Sequence, residues 1–349
     1  MEVKLRDELE LRNGKSPPRR AKMGPYPVYG ANGVIGYATE HNANGPLIVI
    51  GRVGSYCGSV RFCDTDVWVT DNALICRAKN PDETRFWYYA LQTCRLNEHR
   101  SGSGQPLLNQ RTLHDLSVQT VAADDRVRIA GLLGALDDKI VANQRVVDAA
   151  ETLMVAIVES ITAYVALSEL AVRSTRLVNP SDFDDVVANF SLPAFDDGGQ
   201  PQVVAGASVK SAKFLLSAPC VLFAKLNPGR PRIWNVVGLP SQMALASTEF
   251  VVLSPVGIDT SALWSAVRQP EVSRILQQRV DGTSGSHQRI RPDELLDMPV
   301  RDVRRLSAGE LQTITYLGEL CHARRNDNVR LAGLRDTLLP PLISGELRL

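Results

Sequence analysis

The side chains that could do chemistry on a partner fall into two sets of polar, glycine-punctuated loops. The first set is Arg52, Ser55, Arg61, Ser103, Gln105, Asn109, Gln110 and Arg111; the second is Lys225, Arg230, Arg232, Thr283, Ser284, His287, Gln288, Arg289 and Arg291. Arg, Asn and Gln present bidentate forks that tell guanine from adenine at base edges in a major groove, whereas Ser, Thr, Lys and backbone amides suit phosphates. Each residue taken singly is equally at home as a solvated turn residue. Two clusters at equivalent positions carry more weight.

Bond-making chemistry is not legible. The loop Gly51-Arg-Val-Gly-Ser-Tyr-Cys-Gly58 invites comparison with a phosphate-cradling loop, but no Lys-Ser/Thr follows its last glycine. There is no GxSxG elbow and no Asn-Pro-Pro-aromatic motif, Asn227-Pro-Gly being the nearest string, and Glu2-Val-Lys4 lacks the upstream Pro-Asp of a nuclease. The six cysteines form no CxxC pair and the five histidines no HExxH, so reduced thiols without a metal are expected.

The elements that must position these loops follow from length and periodicity. A chain of 349 residues suggests two domains, and 44% apolar with 22% charged residues is a globular composition. A net charge of +1 argues neither for nor against nucleic acid, and the even spread of charge along the chain means that any nucleic-acid face must be local, built from loops. The apolar run Leu153–Leu167 is broken by Glu159 and too short to span a membrane, and the charged start has no apolar leader, so a cytoplasmic address away from membranes is expected.

Ile129, Leu133, Leu136, Ile140, Val147, Ala150, Met154, Ile157 and Ile161 recur at 4-3 spacing, broken only by Asn143. This predicts a helix from Asp124 to about Leu167 whose seam, roughly 50 Å long, requires another helix alongside. Leu317, Leu320, Leu331, Leu334 and Leu338 stand 184 positions after Leu133, Leu136, Val147, Ala150 and Met154, so a second such helix is written near the C-terminus, ending at Pro340-Pro341. Asn143 and the matching Asp327 are expected to fix register as buried polar groups.

Residues 1–121 read as a mixed α/β domain, with a buried strand at 46–51, an alternating strand from Val60, and a helix opened by Asp82 that contains Trp87. Residues 174–303 repeat the plan: Val221–Lys225 stands for the buried strand, Trp264 for Trp87, and the 282–289 loop for the Ser101 loop. Residues 122–173 and 304–349 supply the two long helices, with a solvated linker over Ser168–Val187 and a closing tail. The fold class is α+β: two similar mixed α/β domains separated by two long helices in an antiparallel coiled coil, an internal repeat.

Together these strings resemble the DNA-specificity subunit of Type I restriction-modification systems. The resemblance is carried by Tyr26-Pro-Val-Tyr-Gly-Ala-Asn-Gly-Val-Ile-Gly-Tyr37, Ile50-Gly-Arg-Val-Gly-Ser55, Trp68-Val-Thr-Asp-Asn72, Gly282-Thr-Ser-Gly-Ser286 with Gln288-Arg289, and Leu334-Arg-Asp-Thr-Leu-Leu-Pro340 with Leu342-Ile-Ser-Gly-Glu346. Two departures lie at helix ends: Val121-Ala-Ala-Asp-Asp-Arg126 replaces a Pro-Pro and Glu-Gln pair, and Pro341 stands where Lys is common. The resemblance implies a non-catalytic subunit of a host-defence DNA methyltransferase/endonuclease, with two target-recognition domains that each read one half of a bipartite target in double-stranded DNA. It further implies helices that set the spacer and dock two methyltransferase subunits, a restriction/translocase subunit, and S-adenosylmethionine, ATP and Mg on partner chains rather than on this one. The contrasting expectation is a coiled-coil scaffold that binds two proteins without reading DNA.

Overall fold

The computed structural model describes residues 1–18, 24–100, 107–227, 231–280 and 289–349. They form two compact units, Met1–Lys139 with Leu331–Leu349, and Ile140–Arg330. In the first, short apolar runs bounded by Gly, Pro and Asn make strands β1 (Glu2–Lys4), β2 (Leu9–Asn13, after the single helical turn α1, Leu5–Glu8), β3 (Tyr26–Gly30), β4 (Gly33–Ala38), β5 (Leu47–Gly51), β6 (Val60–Cys63), β7 (Trp68–Val69) and β8 (Ala73–Ala78). Helices α2 (Thr84–Thr93) and α3 (Gln110–Asp115) follow, and β9 (Ser117–Gln119) pairs back with β1. The cap before α2 is Asn80, whose side chain accepts from Asp82 N, rather than Asp82 itself.

The sheets run β2-β8-β5-β6 and β4-β3-β7. Strand β5 is an unbroken apolar run because both its faces are covered: Ile48 and Ile50 pack with Phe86 and Trp87 of α2, Leu47 and Val49 with Val67 and Val69.

Helix α4 (Ala123–Glu159) begins in this unit and continues into the second. The second unit then supplies β10 (Tyr164–Ala166), β11 (Ala171–Ser174), β12 (Leu177–Val178), β13 (Val186–Phe190), α5 (Leu192–Asp196), β14 (Gln202–Ala205), β15 (Lys213–Leu216), β16 (Cys220–Ala224), β17 (Ile233–Val236), β18 (Met243–Ala246) and β19 (Phe250–Pro255). Helices α6 (Thr260–Val267), α7 (Pro270–Val280) and α8 (Pro292–Leu296), strand β20 (Pro299–Arg301) and helix α9 (Ala308–Ser344) complete the chain.

Its sheet β11-β19-β16-β17 has the strand order of β2-β8-β5-β6, and β10 pairs with β20 as β1 does with β9. Strand β13 runs parallel to β18 and antiparallel to β14, as β3 does to β7 and β4. The expected solvated linker at Ser168–Val187 is instead β11, β12 and the start of β13, since Leu170 and Ala171 are buried and β11 completes a ladder with β19.

Helix α4 stops at Glu159, short of the expected Leu167. Ile161 and Leu167 are still buried, but in a turn and a short 3-10 segment flanking β10, so the apolar spacing outlasts the helix. Helix α9 is opened by a reciprocal cap, Ser307 N to Glu310 Oε2 (2.8 Å) and Glu310 N to Ser307 Oγ (3.3 Å). It runs through Pro340-Pro341 to Ser344 instead of ending there. Each proline costs one backbone hydrogen bond, yet its φ suits a helix, and burial of Leu339, Leu342 and Ile343 holds the last turn in the first core.

The inner stripe of α9 also differs from the expected seam. Leu317, Leu320, Leu331 and Leu338 are half-buried and Leu334 is 48% exposed. The side facing α4 is 314, 321, 325, 328, 335, 339 and 342, spaced by three, four or seven residues but rich in polar groups. In the second unit Ile314 and Cys321 pack with Val147, Ala150, Met154 and Val158. Arg325 donates to Glu151 (2.5 Å), and Asn143, 1% exposed, donates to Asn328 Oδ1 (2.9 Å). In the first unit Arg335 pairs with Asp137 (2.7 Å), and Leu339 and Leu342 join Ile129 and Leu133. The helices are antiparallel in both units. Leu136 and Ile140 are half-buried, and Asp327, the expected partner of Asn143, pairs with Arg324 (3.4 Å).

Two glycines let each long helix approach its neighbour. A Cβ on Gly134 would lie 2.7 Å from the Arg85 guanidinium of α2, and one on Gly318, 184 positions later, would lie 2.0 Å from Ser261 Oγ of α6.

Candidate nucleic-acid interface

In the first unit the site is built at the C-terminal end of β5. The chain leaves the buried strand at Gly51, and the Arg52 backbone is clamped on both sides, N to Asn72 O (3.1 Å) and O from Leu108 N (2.8 Å). Leu108 is fully buried, so this bond fixes where the preceding loop returns. The Arg52 side chain donates to Asn13 Oδ1 at the end of β2 (3.2 Å), and the Gln110 amide meets the same Asn13 side chain at 3.0 Å. Ser55 is exposed on a 3-10 turn, Gly54–Tyr56. Arg61, exposed on β6, lays its guanidinium over Gly33 of the β3–β4 hairpin, and makes no hydrogen bond or ion pair among the described residues. Ser59 Oγ donates to Ala31 O (2.8 Å) and ties that hairpin to the Gly51 loop.

Not every candidate is free to act on a ligand. Asn109 is the N-cap of α3, its Oδ1 accepting from Thr112 N (2.8 Å). Arg111 is exposed on the same helix. Ser103 and Gln105 lie outside the described residues.

In the second unit Lys225 occupies the place of Arg52: its carbonyl accepts from Ile290 N (3.0 Å) and Ile290 is buried. Its ammonium donates to Thr248 O (2.7 Å) over the Phe214 ring. Burial first, then the neighbouring Arg173 and Arg289 charges, push its pKa below the ordinary lysine value. Arg289 reaches Glu249 (3.0 Å), and Arg291, at the start of α8, sits 3.9 Å from Glu294. Arg232 is engaged by Asp196 through two hydrogen bonds of 2.6 and 2.9 Å. Arg230, Thr283, Ser284, His287 and Gln288 lie outside the described residues.

The structure therefore gathers Arg52, Gln110, Ser55 and Arg61 around one strand end, and Lys225 with Arg289 around the other. Asn13 and Arg173, which pattern reading did not single out, join these groups from the neighbouring strands β2 and β11. Sequence reading also missed Arg126, 4% exposed, which binds Glu83 (2.7 Å) and Glu8 (2.8 Å) beneath the Trp87 ring and anchors α4 to its domain.

Among the described residues no group of three or more His, Cys, Asp or Glu could hold a metal, and no helix is long and apolar enough to cross a membrane. Burial pushes Cys63, Cys94 and Cys321 up to about 11 and Cys220 to about 12, so these thiols stay protonated at neutral pH.

Residues 1–149 match the model of the family described as the Type I restriction modification DNA specificity domain. A curated relative, the Escherichia coli "Type I restriction enzyme EcoprrI specificity subunit", is 29% identical over 119 residues, which are 34% of this chain and 30% of that protein. Among solved structures, the S subunit of a Type-I restriction-modification system from M. genitalium has the same fold over 98% of this chain and 96% of its own, with a TM-score of 0.62 and 14% identity.

Proposed function

We propose that this chain is the non-catalytic, sequence-specific DNA-recognition subunit of a Type I restriction-modification complex. Each unit reads one half of a bipartite asymmetric target in double-stranded DNA, and α4 with α9 form a coiled coil that sets the spacer. S-adenosylmethionine, ATP and Mg serve chemistry on partner chains, two methyltransferase subunits and a restriction/translocase subunit.

The observation that carries this reading is one frame used twice under different side chains. The strand orders coincide, and the bond from Leu108 N to Arg52 O recurs as Ile290 N to Lys225 O, yet the groups displayed there differ. Two independent readers require this: common positioning, separate chemistry. The outer sides of the helices support partner docking, because they leave Val127, Leu132 and Leu334 exposed in the first unit and Val141, Leu153, Tyr316 and Val329 in the second.

Mapping methylated motifs in cells with and without this gene tests the reading. A gene-dependent bipartite motif is expected, and exchanging residues 1–121 for those of a relative should change one half and leave the other. Absence of any gene-dependent motif refutes the assignment, and a change in both halves refutes modular reading.

A further inference from the structure

The β3–β4 hairpin carries an apolar surface that the forked donors do not explain. Strand β4 is the free edge of its three-stranded sheet. It turns at Gly33 (φ +97°) and then exposes Val34 (48%), Ile35 (38%) and Tyr37 (47%) within four residues. Single exposed apolar residues are ordinary on a surface; three on a rigid edge ribbon call for an occupant. The ribbon is also held in place, by Ser59 Oγ on Ala31 O (2.8 Å) and by Arg61 against Gly33.

Two observations select DNA as the occupant over a protein. Arg61 supplies a positive charge with no carboxylate partner among the described residues, beside the apolar tip. The hairpin is also continuous with the Gly51 loop that carries Arg52 and Ser55. A two-stranded ribbon fits a major groove about 12 Å wide and not a minor groove of about 6 Å. The apolar group a major groove offers is the thymine C5-methyl.

We infer that the hairpin is a specificity-determining element of the first unit, with Val34 and Ile35 making van der Waals contact with thymine C5-methyl groups, and Arg61 holding the adjacent phosphate. The inference rests on the DNA-reading function proposed above and assigns to it residues that hydrogen-bond chemistry alone does not pick out.

The test uses the full chain with its methyltransferase partner and duplexes carrying the mapped motif. Each thymine of the half-site assigned to residues 1–121 is replaced by deoxyuridine, which lacks only the methyl. At one such position the wild-type complex should lose about three- to five-fold in affinity, the worth of one buried methyl. Ile35→Ala or Val34→Ala should weaken the intact site similarly and lose nothing further on the deoxyuridine duplex, while substitutions in the other half leave both proteins alike. A first half-site without thymine, tolerance of every replacement, or losses that multiply independently in variant and duplex would overturn the inference. So would a variant that binds DNA normally but no longer assembles with the methyltransferase, which would give the patch to a protein. Failure of the wild type to bind any bipartite motif is distinguishable, because it refutes the DNA-reading function itself.

Discussion

The two units differ most where one face of the central strand is covered. Val49 of β5 lies opposite Arg61, and Leu222 of β16, equally placed three residues before the clamped carbonyl, lies opposite Trp234. Arg61 is exposed beside a short hairpin, whereas Trp234 is 5% exposed and packed among Phe190, Phe195 and Phe250 at ring distances of 4.9 to 6.4 Å. The cause is the connection after the parallel strand. It is a tight turn between β3 and β4, but between β13 and β14 it carries α5, whose Asp196 also claims Arg232. Burying both faces of a central strand fixes the strand order. What lies at the outer edge is left to vary, and there the two units acquire separate surfaces.

The largest expected contrast is in how each unit holds α4. Arg126→Ala leaves Glu83 and Glu8 facing an apolar site and should cost about 3–5 kcal/mol in denaturant unfolding. Arg301, which binds Glu271 (2.7 Å) and the carbonyls of Glu159 and Ile161 in the second unit, is more accessible, and Arg301→Ala should cost about 1–3 kcal/mol. Equal losses would remove the distinction. Burial opposes ionisation of Glu83, but hydrogen bonds from Arg126, Asn80 and Trp87 outweigh it and hold the carboxyl below the usual range. A depressed folded pKa gives stability that is present above the unfolded value of about 4.3 and lost as pH falls through the lower folded one. Glu83→Gln should therefore flatten the acid limb of a stability-versus-pH curve below about pH 4.3. An unchanged limb would show that the pair is not the acid-sensitive contact.

Next come the paired glycines. Gly318→Ala places its Cβ 2.8 Å from Ser261 Cβ, which cannot swing away, and should destabilise by about 1–3 kcal/mol. The atoms nearest a Cβ on Gly134 are those of the mobile Arg85 guanidinium, and the helical gain of alanine, about 1 kcal/mol, should leave the melting temperature of Gly134→Ala nearly unchanged. The reverse order would mean that the second unit yields more easily than the first. Asn143→Leu strands Asn328 Oδ1 and should cost about 1–3 kcal/mol, while the double change with Asn328→Leu should recover it. If the single change already raises the melting temperature, the amide pair is not a stabilising contact.

The smallest expected loss of stability from a broken ion pair belongs to Asp196→Asn. The pair is partly exposed, so stability should fall by no more than about 1 kcal/mol. Freed Arg232 should add about one phosphate contact to the salt slope of DNA binding. A steady slope would show that Arg232 faces away from DNA.

The sequence displayed the frame through residues whose burial is repeated along the chain. Val147, Met154 and Leu133 marked one side of the helix pair, and the 46–51 and 221–225 runs marked the central strands. The other side was hidden, because Cys321, Arg325, Asn328 and Arg335 do not register in an apolar count although they face α4. Asn109 has the composition of a base reader but acts locally as a cap, as an Asn three residues before Thr112 N is placed to do. Arg232 and Arg126 were unreadable for the opposite reason: their partners Asp196, Glu8 and Glu83 are remote in sequence, and pairing at such distances is set by the folded chain.

The clamp at Arg52 and Lys225 has an evolutionary consequence. It consists of main-chain atoms, N–H to carbonyl, and is blind to the side chain that either position carries. Substitutions at these two positions therefore leave the clamp itself intact. One clamp carries arginine and the other lysine. A lineage can explore new displays at these strand ends while its core is inherited unaltered.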